Sequence, residues 1–456
     1  MGKFRRSVDR KQLSLLPSSV EDYVGGEDIV RYVDELVELL DLSSIDSVYS
    51  FYGRPAYEPR IIVKILVFGS LRGIRSAREL SRECRENLRF MFLSQNEKPD
   101  FRTINLFRKV HAKALACLLR QTIEIGIKEE IIDLKTVAVD GTKIRAFAGR
   151  RSFGKAESLK AELDKLEKEL EEQFVKDSEK EDEDEGKFDT LPPELRDKTR
   201  RKERLKAALE EYSKTKHGKP RQVSTTDTES RFMQGPEGAR PLYNVQAAVD
   251  ASSRMVVGGY ATNSTCDHGQ MRKVVESIQE LSTRTPEVIV ADRGYGAIDG
   301  FVSLEENNIV GFVSLRKNFQ EGFTHNPSDD SYTCKEGRKL VYRYDTKEAK
   351  KYKSLNCQGC LSKQGCLRGK SKLRTIAISH HKDTVDKIRQ RCDSELGKTY
   401  QKIRSSTVET LFGHLKYARK LLRFVHRGLE RVTADWQFEL AVYNIERLAR
   451  LRMSPR

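Results

Sequence analysis

Three short stretches place acidic residues where metal-assisted chemistry could be done. Two of them read alike: Val137-Ala138-Val139-Asp140-Gly141-Thr142 and Val288-Ile289-Val290-Ala291-Asp292-Arg293-Gly294-Tyr295. In each, an apolar run of strand length ends in an aspartate, and a glycine follows to release the chain. Strand ends are where open α/β sheets keep their active sites. The third stretch, Val408-Glu409-Thr410-Leu411-Phe412-Gly413-His414-Leu415-Lys416, reads as a helix. Glu409, Phe412, Gly413 and Lys416 recur at helical spacing and are expected to share one face. Two strand-borne aspartates and a helix-borne glutamate can hold two divalent cations side by side. Such a pair activates a water and stabilises a leaving oxygen in phosphodiester chemistry. A single Asp after a strand is more often a turn residue; three carboxylates in this order, on these elements, are far more specific.

The elements that must position them follow from periodicity. A helix is expected from Glu27 to Leu40, another from Ile61 to Leu71 behind Pro59, and a third from Ser76 through Cys84. A fourth should run from Pro99 to Ile125, with Gly126 just past its end. Short helices bearing many arginines suggest a helix-turn-helix-like bundle over residues 1–130. Arg72, Arg75, Arg78, Arg82, Arg102 and Arg108 are the side chains expected near phosphate. Strand Thr136 to Val139 follows, and the runs Leu242–Asp250 and Arg254–Thr262 form a hairpin around Ala251-Ser252-Ser253. Asp250 there is read as a turn residue, and His268 as a capping or surface group. Basic residues Lys416, Arg419, Lys420, Arg423, His426 and Arg427 continue on or beside the Glu409 helix until Gly428. A last amphipathic helix spans Leu429 to Leu451, with its apolar stripe packed in the core.

Charge points to a polyanionic partner. The chain of 456 residues carries a formal +16, distributed unevenly. Residues 156–190 hold 15 acidic and 6 basic side chains, a net of −9, so the remainder carries +25. A basic body of that size favours nucleic acid. No apolar run approaches the ~20 residues needed to span a bilayer, and the basic N-terminus leads into no signal core. A cytosolic, nucleoid-associated protein without membrane contact is expected.

Two insertions interrupt the catalytic part. In residues 151–221, Leu159, Leu163, Leu166, Leu170 and Phe174 form a near-heptad seam, and Leu205, Leu209 and Tyr212 face back across a turn. This predicts a charged antiparallel helical hairpin with a solvated acidic tip, Glu179 to Glu185. Residues 316–395 hold Cys334, Cys357-Gln358-Gly359-Cys360 and Cys366. A Cys-x2-Cys turn offers two thiolates to tetrahedral Zn²⁺, and Cys334 and Cys366 could complete four. Lys363, Arg368, Lys370, Lys372 and Arg374 crowd the same stretch and suit phosphate contact. Eight dispersed cysteines are too few for a disulfide framework in so long a chain.

The order Asp-Gly-Thr, then Ala-Asp-Arg-Gly-Tyr, then Val-Glu-x-x-Phe-Gly-x-x-Lys resembles the DDE transposases of bacterial insertion sequences. The resemblance runs from about Tyr57 to Leu451 and is of the kind with a Cys-rich insert between the second Asp and the Glu. It implies an α/β protein: an RNase H-like mixed sheet flanked by helices, with a helical N-terminal DNA-binding domain. The catalytic parts would be residues 131–150 and 222–315, joined by residues 396–456. It implies catalysis by Asp140, Asp292 and Glu409 with two Mg²⁺ or Mn²⁺ ions, cleavage at element ends, and joining of the freed 3′-hydroxyl to target DNA. It implies double-stranded DNA partners, both inverted-repeat ends and target, and a homodimer on that DNA. Members place a Tyr and an Arg before the Glu; here Tyr400 and Arg404 stand slightly off that spacing. The DNA contacts so expected are Arg102, Arg108, Arg404, Lys416, Arg419, Lys420 and Arg423. Two other classes fit less of the pattern. They are a transposase-derived DNA-binding protein without activity, and an RNase H-like nuclease that cuts without joining.

Overall fold

The computed structural model describes residues 19–49, 55–178, 193–214, 222–235, 238–315, 322–346, 349–367 and 371–453. The chain begins with helices. α1 (Ile29–Glu38) starts where the Asp28 carboxylate accepts the Val30 N–H at 3.1 Å, and it buries Val30, Val33, Leu36 and Val37. A single turn, α2 (Ser43–Asp46), precedes α3 (Pro59–Leu71), which opens on a proline at its first position. Every residue of α3 from Ile61 to Ser70 is buried, so this helix is the centre of the bundle. α4 (Ala77–Glu86) is capped by Ser76, and α5 (Leu88–Leu93) and α6 (Phe101–Val110) follow. α7 (Ala112–Lys128) is separate from α6, because His111 leaves helical geometry at φ −100°, ψ 19°. The single helix expected from Pro99 to Ile125 is therefore two. Gly126, expected past its end, lies inside α7. A Cβ there would come within 2.7 Å of Ile132 Cδ1, and its carbonyl accepts from the Ile131 and Ile132 N–H groups as the chain doubles back. The glycine serves close approach, not a cap.

The sheet is mixed. β1 (Thr136–Arg145) leads to the two-residue β2 (Phe153–Gly154), then α8 (Ala156–Ser178) and α9 (Pro193–Lys214). These two helices pack through Leu159, Leu205 and Ala208 and are laced by the ion pairs Glu162–Arg201 (2.8 Å) and Glu169–Lys198 (3.2 Å), in an antiparallel sense. The acidic tip Glu179 to Glu185 and the Phe174 side chain lie outside the described residues. β3 (Val223–Ser224) pairs with β2 below the hairpin. β4 (Arg231–Gly235), β5 (Gly238–Asp250) and β6 (Val256–Thr262) then lay antiparallel strands beside β1. α10 (Met271–Ser282), β7 (Val288–Ala291), α11 (Ile298–Glu306) and β8 (Val310–Val313) add the parallel half. The order is β4-β5-β1-β7-β8, with β6 along the remaining edge of β5.

A second sheet, purely antiparallel, consists of β9 (Phe323–Asn326), β10 (Ser331–Cys334), β11 (Lys339–Asp345), β12 (Ala349–Ser354) and β13 (Thr375–Ser379). It has its own small core of Tyr332, Leu340, Tyr352, Ile376 and Ile378, and the short α12 (Lys363–Cys366) sits between its last strands. α13 (Lys382–Asp393) and α14 (Glu395–Arg404) return the chain to the first sheet. A π-helical turn (Ser405–Glu409), α15 (Thr410–Gly413) and a second π-helical turn (His414–Ala418) come next, and α16 (Leu429–Met453) closes the fold. The basic run after Glu409 does not continue the helix. Lys420 takes φ 52°, and Arg423 forms a bridge beside Arg145.

α16 lies between the N-terminal helices and the sheet and makes one core of both. Its Asn444 donates to the Val256 carbonyl and accepts from the Val256 N–H, both at 2.8 Å, replacing a missing strand neighbour. The buried Glu439 accepts from Ser70 Oγ at 2.5 Å and from both ends of the Arg75 fork at 2.7 and 2.8 Å. Those bonds hold the carboxyl below its usual range despite burial. Glu439→Gln leaves Arg75 buried without its counter-charge and is expected to cost about 3 kcal/mol at neutral pH. Because the folded pKa is depressed, the wild-type advantage is complete above the unfolded value near 4.5 and fades as pH falls below it. Urea titrations of both proteins at pH 7 and pH 4 measure the gap; an equal gap at both would contradict the assignment.

Candidate active site

The site begins with strand register. β1 and β7 pair in parallel as Val137↔Ile289, Ala138↔Val290 and Val139↔Ala291, and there the pairing stops. Asp140 and Asp292 are the next residues on the two strands, so they stand level on neighbouring chains whose spacing is about 4.8 Å. Asp140 does not end its strand, as its sequence suggested. β5 continues to pair with β1, from Asp140↔Ala247 to Arg145↔Leu242, and only the β7 side falls away. Gly141 is accordingly not a release point. A Cβ there would lie 2.4 Å from both Asp267 Oδ1 and Gln246 Nε2. Asp292 does end its strand; its Oδ1 accepts the Gly294 N–H at 2.7 Å and starts the turn Arg293–Tyr295.

Burial lifts the Asp140 carboxyl to about 6. The Gly141 N–H and the Arg404 guanidinium pull it down, while the charges of Asp292 and Asp267 push it up. Arg404 Nη1 donates to Asp140 Oδ2 at 2.7 Å, and the two side chains are only 14% and 20% exposed. Arg404 was expected on DNA; it is spent on the aspartate. Its helix is fixed by Gln401, whose Nε2 donates to the Ala291 and Phe312 carbonyls at 3.2 and 3.1 Å. Tyr400 lies against Phe312 with ring centres 4.5 Å apart.

Glu409 closes the first π-helical turn. A π turn adds a residue to the helical circuit, which accommodates the longer step from Arg404 to Glu409 and breaks the single face expected for Glu409, Phe412, Gly413 and Lys416. Phe412 is buried toward Trp436, whereas Glu409 is exposed and its Oε1 accepts from Ser405 Oγ at 2.6 Å. Lys416 reaches back to β1 and donates to Thr142 Oγ1, two residues along from Asp140 and therefore on the same face. Burial lowers its pKa. Among the described residues, no group of three or more His, Cys, Asp or Glu is placed to hold a metal ion, so no third acidic side chain, Glu409 included, closes on Asp140 and Asp292.

A polar layer lies beside the aspartates that sequence reading passed over. Asp267, just ahead of α10, accepts at Oδ1 from Asn244 Nδ2 at 2.9 Å and from Gln246 Nε2 at 2.8 Å. Buried Tyr295 donates its hydroxyl to Gln246 Oε1. A signal was available: Asn244 and Gln246 are polar at a period of two in an otherwise apolar buried strand. Asp250 is the turn residue expected, with Oδ2 accepting from Ser252 Oγ and from Ser253 N–H and Oγ at 2.6–2.9 Å. His268 is exposed.

The cationic residues divide. Arg72, Arg78, Arg82 and Arg102 are exposed, with Arg78 and Arg102 over the Phe101 ring at 5.1 and 5.7 Å. Arg75 and Arg108 face inward: Arg75 binds Glu439, and Arg108 Nη1 donates to the Arg75 carbonyl at 2.5 Å. Arg419 is 1% exposed and paired with Glu446, which also binds His414 and Arg450. Arg108 and Arg419 thus face inward, each near a buried acid of α16. Lys420 and Arg423 are exposed, and Arg423 and Arg427 both lie 4.9 Å from the Phe147 ring centre.

Cys334 ends β10, Cys357 and Cys360 follow β12, and Cys366 ends α12. β10 and β12 both end beside the start of β11, which puts Cys334, Cys357 and Cys360 toward one end of the second sheet, and burial raises the Cys366 thiol; among the described residues the four are not gathered into a metal-holding group. Arg374 Nη1 donates to the Cys366 carbonyl at 2.8 Å. Lys372 is exposed, while Arg368, Lys370 and the Lys363 side chain lie outside the described residues.

Comparison with known proteins bears on the two ends of this arrangement. Residues 18–110 match the family described as Transposase domain (DUF772), and residues 330–449 match the family described as Transposase DDE domain. No curated protein and no solved structure matches the chain. The first match covers the helices that carry the exposed arginines, and the second runs from the second sheet through Arg404, Glu409 and Lys416 into α16. The two matches support a DDE transposase of an insertion sequence, an enzyme of DNA transposition.

Proposed function

We propose that Asp140, Asp292 and Glu409 are the catalytic carboxylates of this transposase, on an RNase H-like sheet. We propose further that they act with two Mg²⁺ or Mn²⁺ ions in cutting element ends and joining them to target DNA. The observation that carries this reading is the level placement of Asp140 and Asp292 where the β1–β7 pairing stops. The donor chemistry fits. Carboxylate oxygens are what hard divalent cations take, and the charges of Asp292 and Asp267 both bear on Asp140. Bound there, such ions would activate a water or a 3′-hydroxyl and neutralise charge on the phosphodiester.

The chain's own residues do the rest. The two aspartates are set by a rigid sheet, and the Gly294 N–H fixes one oxygen of Asp292. Arg404 holds Asp140 in orientation. Glu409 joins the aspartates by leaving Ser405, and the π-helical turn is the part of the backbone that gives. Lys416, on the Asp140 face of β1, is a cation for the phosphate next to the scissile bond. Asp140→Asn, Asp292→Asn and Glu409→Gln are each expected to reduce cleavage and strand transfer to background while sparing DNA binding. Mg²⁺-dependent cutting of a cognate end by the Asp140→Asn protein would refute the assignment.

Inverted-repeat ends and target, both double-stranded, are the DNA substrates in this reading, with two copies of the chain on the paired ends. Exposed Arg78 and Arg102, flanking Phe101, are assigned to phosphate contact along with Lys420 and Arg423. In the full-length protein, Arg78→Glu with Arg102→Glu should weaken end binding and flatten its salt dependence by about 1 in log–log slope per arginine. An unchanged slope in salt-titrated gel shifts would remove these residues from the interface.

Cys334, Cys357, Cys360 and Cys366 are the donor set that tetrahedral zinc takes, at one end of a small sheet with a core of five buried residues. Such a core is thin enough for a metal to matter. About one zinc per chain is expected in freshly purified protein, with Cys357→Ser losing it. Elemental analysis finding none would withdraw the zinc.

A further inference from the structure

Asp267 is the acidic residue that the three-carboxylate scheme leaves out. It reaches the centre from an element of its own, the segment between β6 and α10. Its carboxylate lies over Gly141 and beside Gly294. A Cβ on Gly141 would meet Asp267 Oδ1 at 2.4 Å, and one on Gly294 would meet Asp292 Oδ1 at 2.8 Å and Asp267 Oδ2 at 3.4 Å. Glycine therefore stands where both aspartate-bearing chains pass this carboxylate. The β1–β7 pairing stops at Val139↔Ala291, one residue before Asp140.

The hydrogen bonding of Asp267 is one-sided. Asn244 and Gln246 both donate to Oδ1, and Tyr295 orients Gln246 in turn. That places three buried or largely buried polar side chains in support of one carboxylate. Among the described residues no cation hydrogen-bonds to it, although its charge bears on Asp140 and on Tyr295. Neutral amides fix a carboxylate in place without neutralising it, the kind of support given to a metal ligand's second oxygen.

We propose that Asp267 is a fourth acidic residue of the catalytic centre, with Oδ2 a ligand to the divalent cation held by Asp140 and Asp292. The proposal rests on the assignment of those two aspartates. It separates Asp140, Asp292 and the neighbouring Asp267, which a cation would draw together, from Glu409, which approaches on a helical segment. Cation binding then precedes the arrival of Glu409.

The test is Mn²⁺ titration of the full-length protein, followed by calorimetry or by the loss of the free-ion paramagnetic signal. Asp267→Asn, which keeps the shape and an acceptor for the amides, should bind Mn²⁺ roughly tenfold more weakly or worse, with an unchanged melting temperature. Glu409→Gln should weaken it less. Asp140→Asn is run in parallel. If it loses Mn²⁺ affinity while Asp267→Asn retains it, Asp267 is not a ligand and the proposal fails alone. If neither variant changes, or the wild type binds no Mn²⁺, the underlying aspartate assignment fails with it. Should Asp267→Asn not fold, Fe²⁺ with peroxide and ascorbate is applied to the wild-type protein to cut the backbone beside the bound ion. Scission within residues 263–269 as well as near Asp140 supports the proposal; scission near Asp140 and Asp292 without it overturns it.

Discussion

The parallel pairing of a long strand with a short one is the constraint on which the rest of the molecule depends. β1 continues past Val139 because β5 stays bonded to it, whereas β7 ends at Ala291. The step in the sheet brings two aspartates level and leaves the β7 side of Asp140 open. Placing like charges side by side in a buried setting is unfavourable, and the local structure is arranged around that cost. Arg404 pairs with one aspartate, a backbone N–H takes an oxygen of the other, and amide side chains hold the nearby Asp267. Gln401 joins α14 to the carbonyls at the ends of β7 and β8, so the arginine and the step are positioned by the same strands.

α16 provides the second constraint. A helix amphipathic in sequence is buried on most sides in the fold, because α1, α3 and α7 cover one flank and β6 the other. Its buried acids, Glu439 and Glu446, draw inward the basic residues that would otherwise serve an electropositive surface. Arg75 and Arg419 are held by them, and Arg108 lies against Arg75. A basic composition is thus a poor guide to which arginines face a polyanion. The exposed set, Arg72, Arg78, Arg82 and Arg102 on the early helices and Lys420 and Arg423 after the second π turn, is smaller than the sequence offers.

The two π-helical turns join these constraints. Between Arg404, fastened to Asp140, and Lys416, fastened to Thr142, the segment must cross the face of β1 while seating Leu411, Phe412 and Leu415 in the core. A regular α-helix fixes the angle between those positions. Widening the circuit at Ser405–Glu409 and again at His414–Ala418 lets both anchors and the apolar seats be met, and Glu409 is left at the surface of the first wide turn.

Local chemistry alone determined much of this. The apolar runs before Asp140 and Asp292, the caps at Ser76 and Pro59, the Asp250 turn and the hairpin seam of Leu159 and Leu205 are short-range patterns whose outcome depends on neighbours within a few residues. The motif order that resembles DDE transposases was equally legible, since it needs only residue type and sequence. Where a strand stops was not. Asp140 continues its strand because a partner more than a hundred residues away remains paired, and nothing near Asp140 encodes that. The burial of Arg108 and Arg419, the turning of Glu409 to Ser405 and the meeting of Asp267 with Gly141 and Gly294 are likewise decided by which distant groups compete for the same space and charge. Sequence specified the donors and acceptors; the packing of α16 and the step in the sheet settled which of them meet.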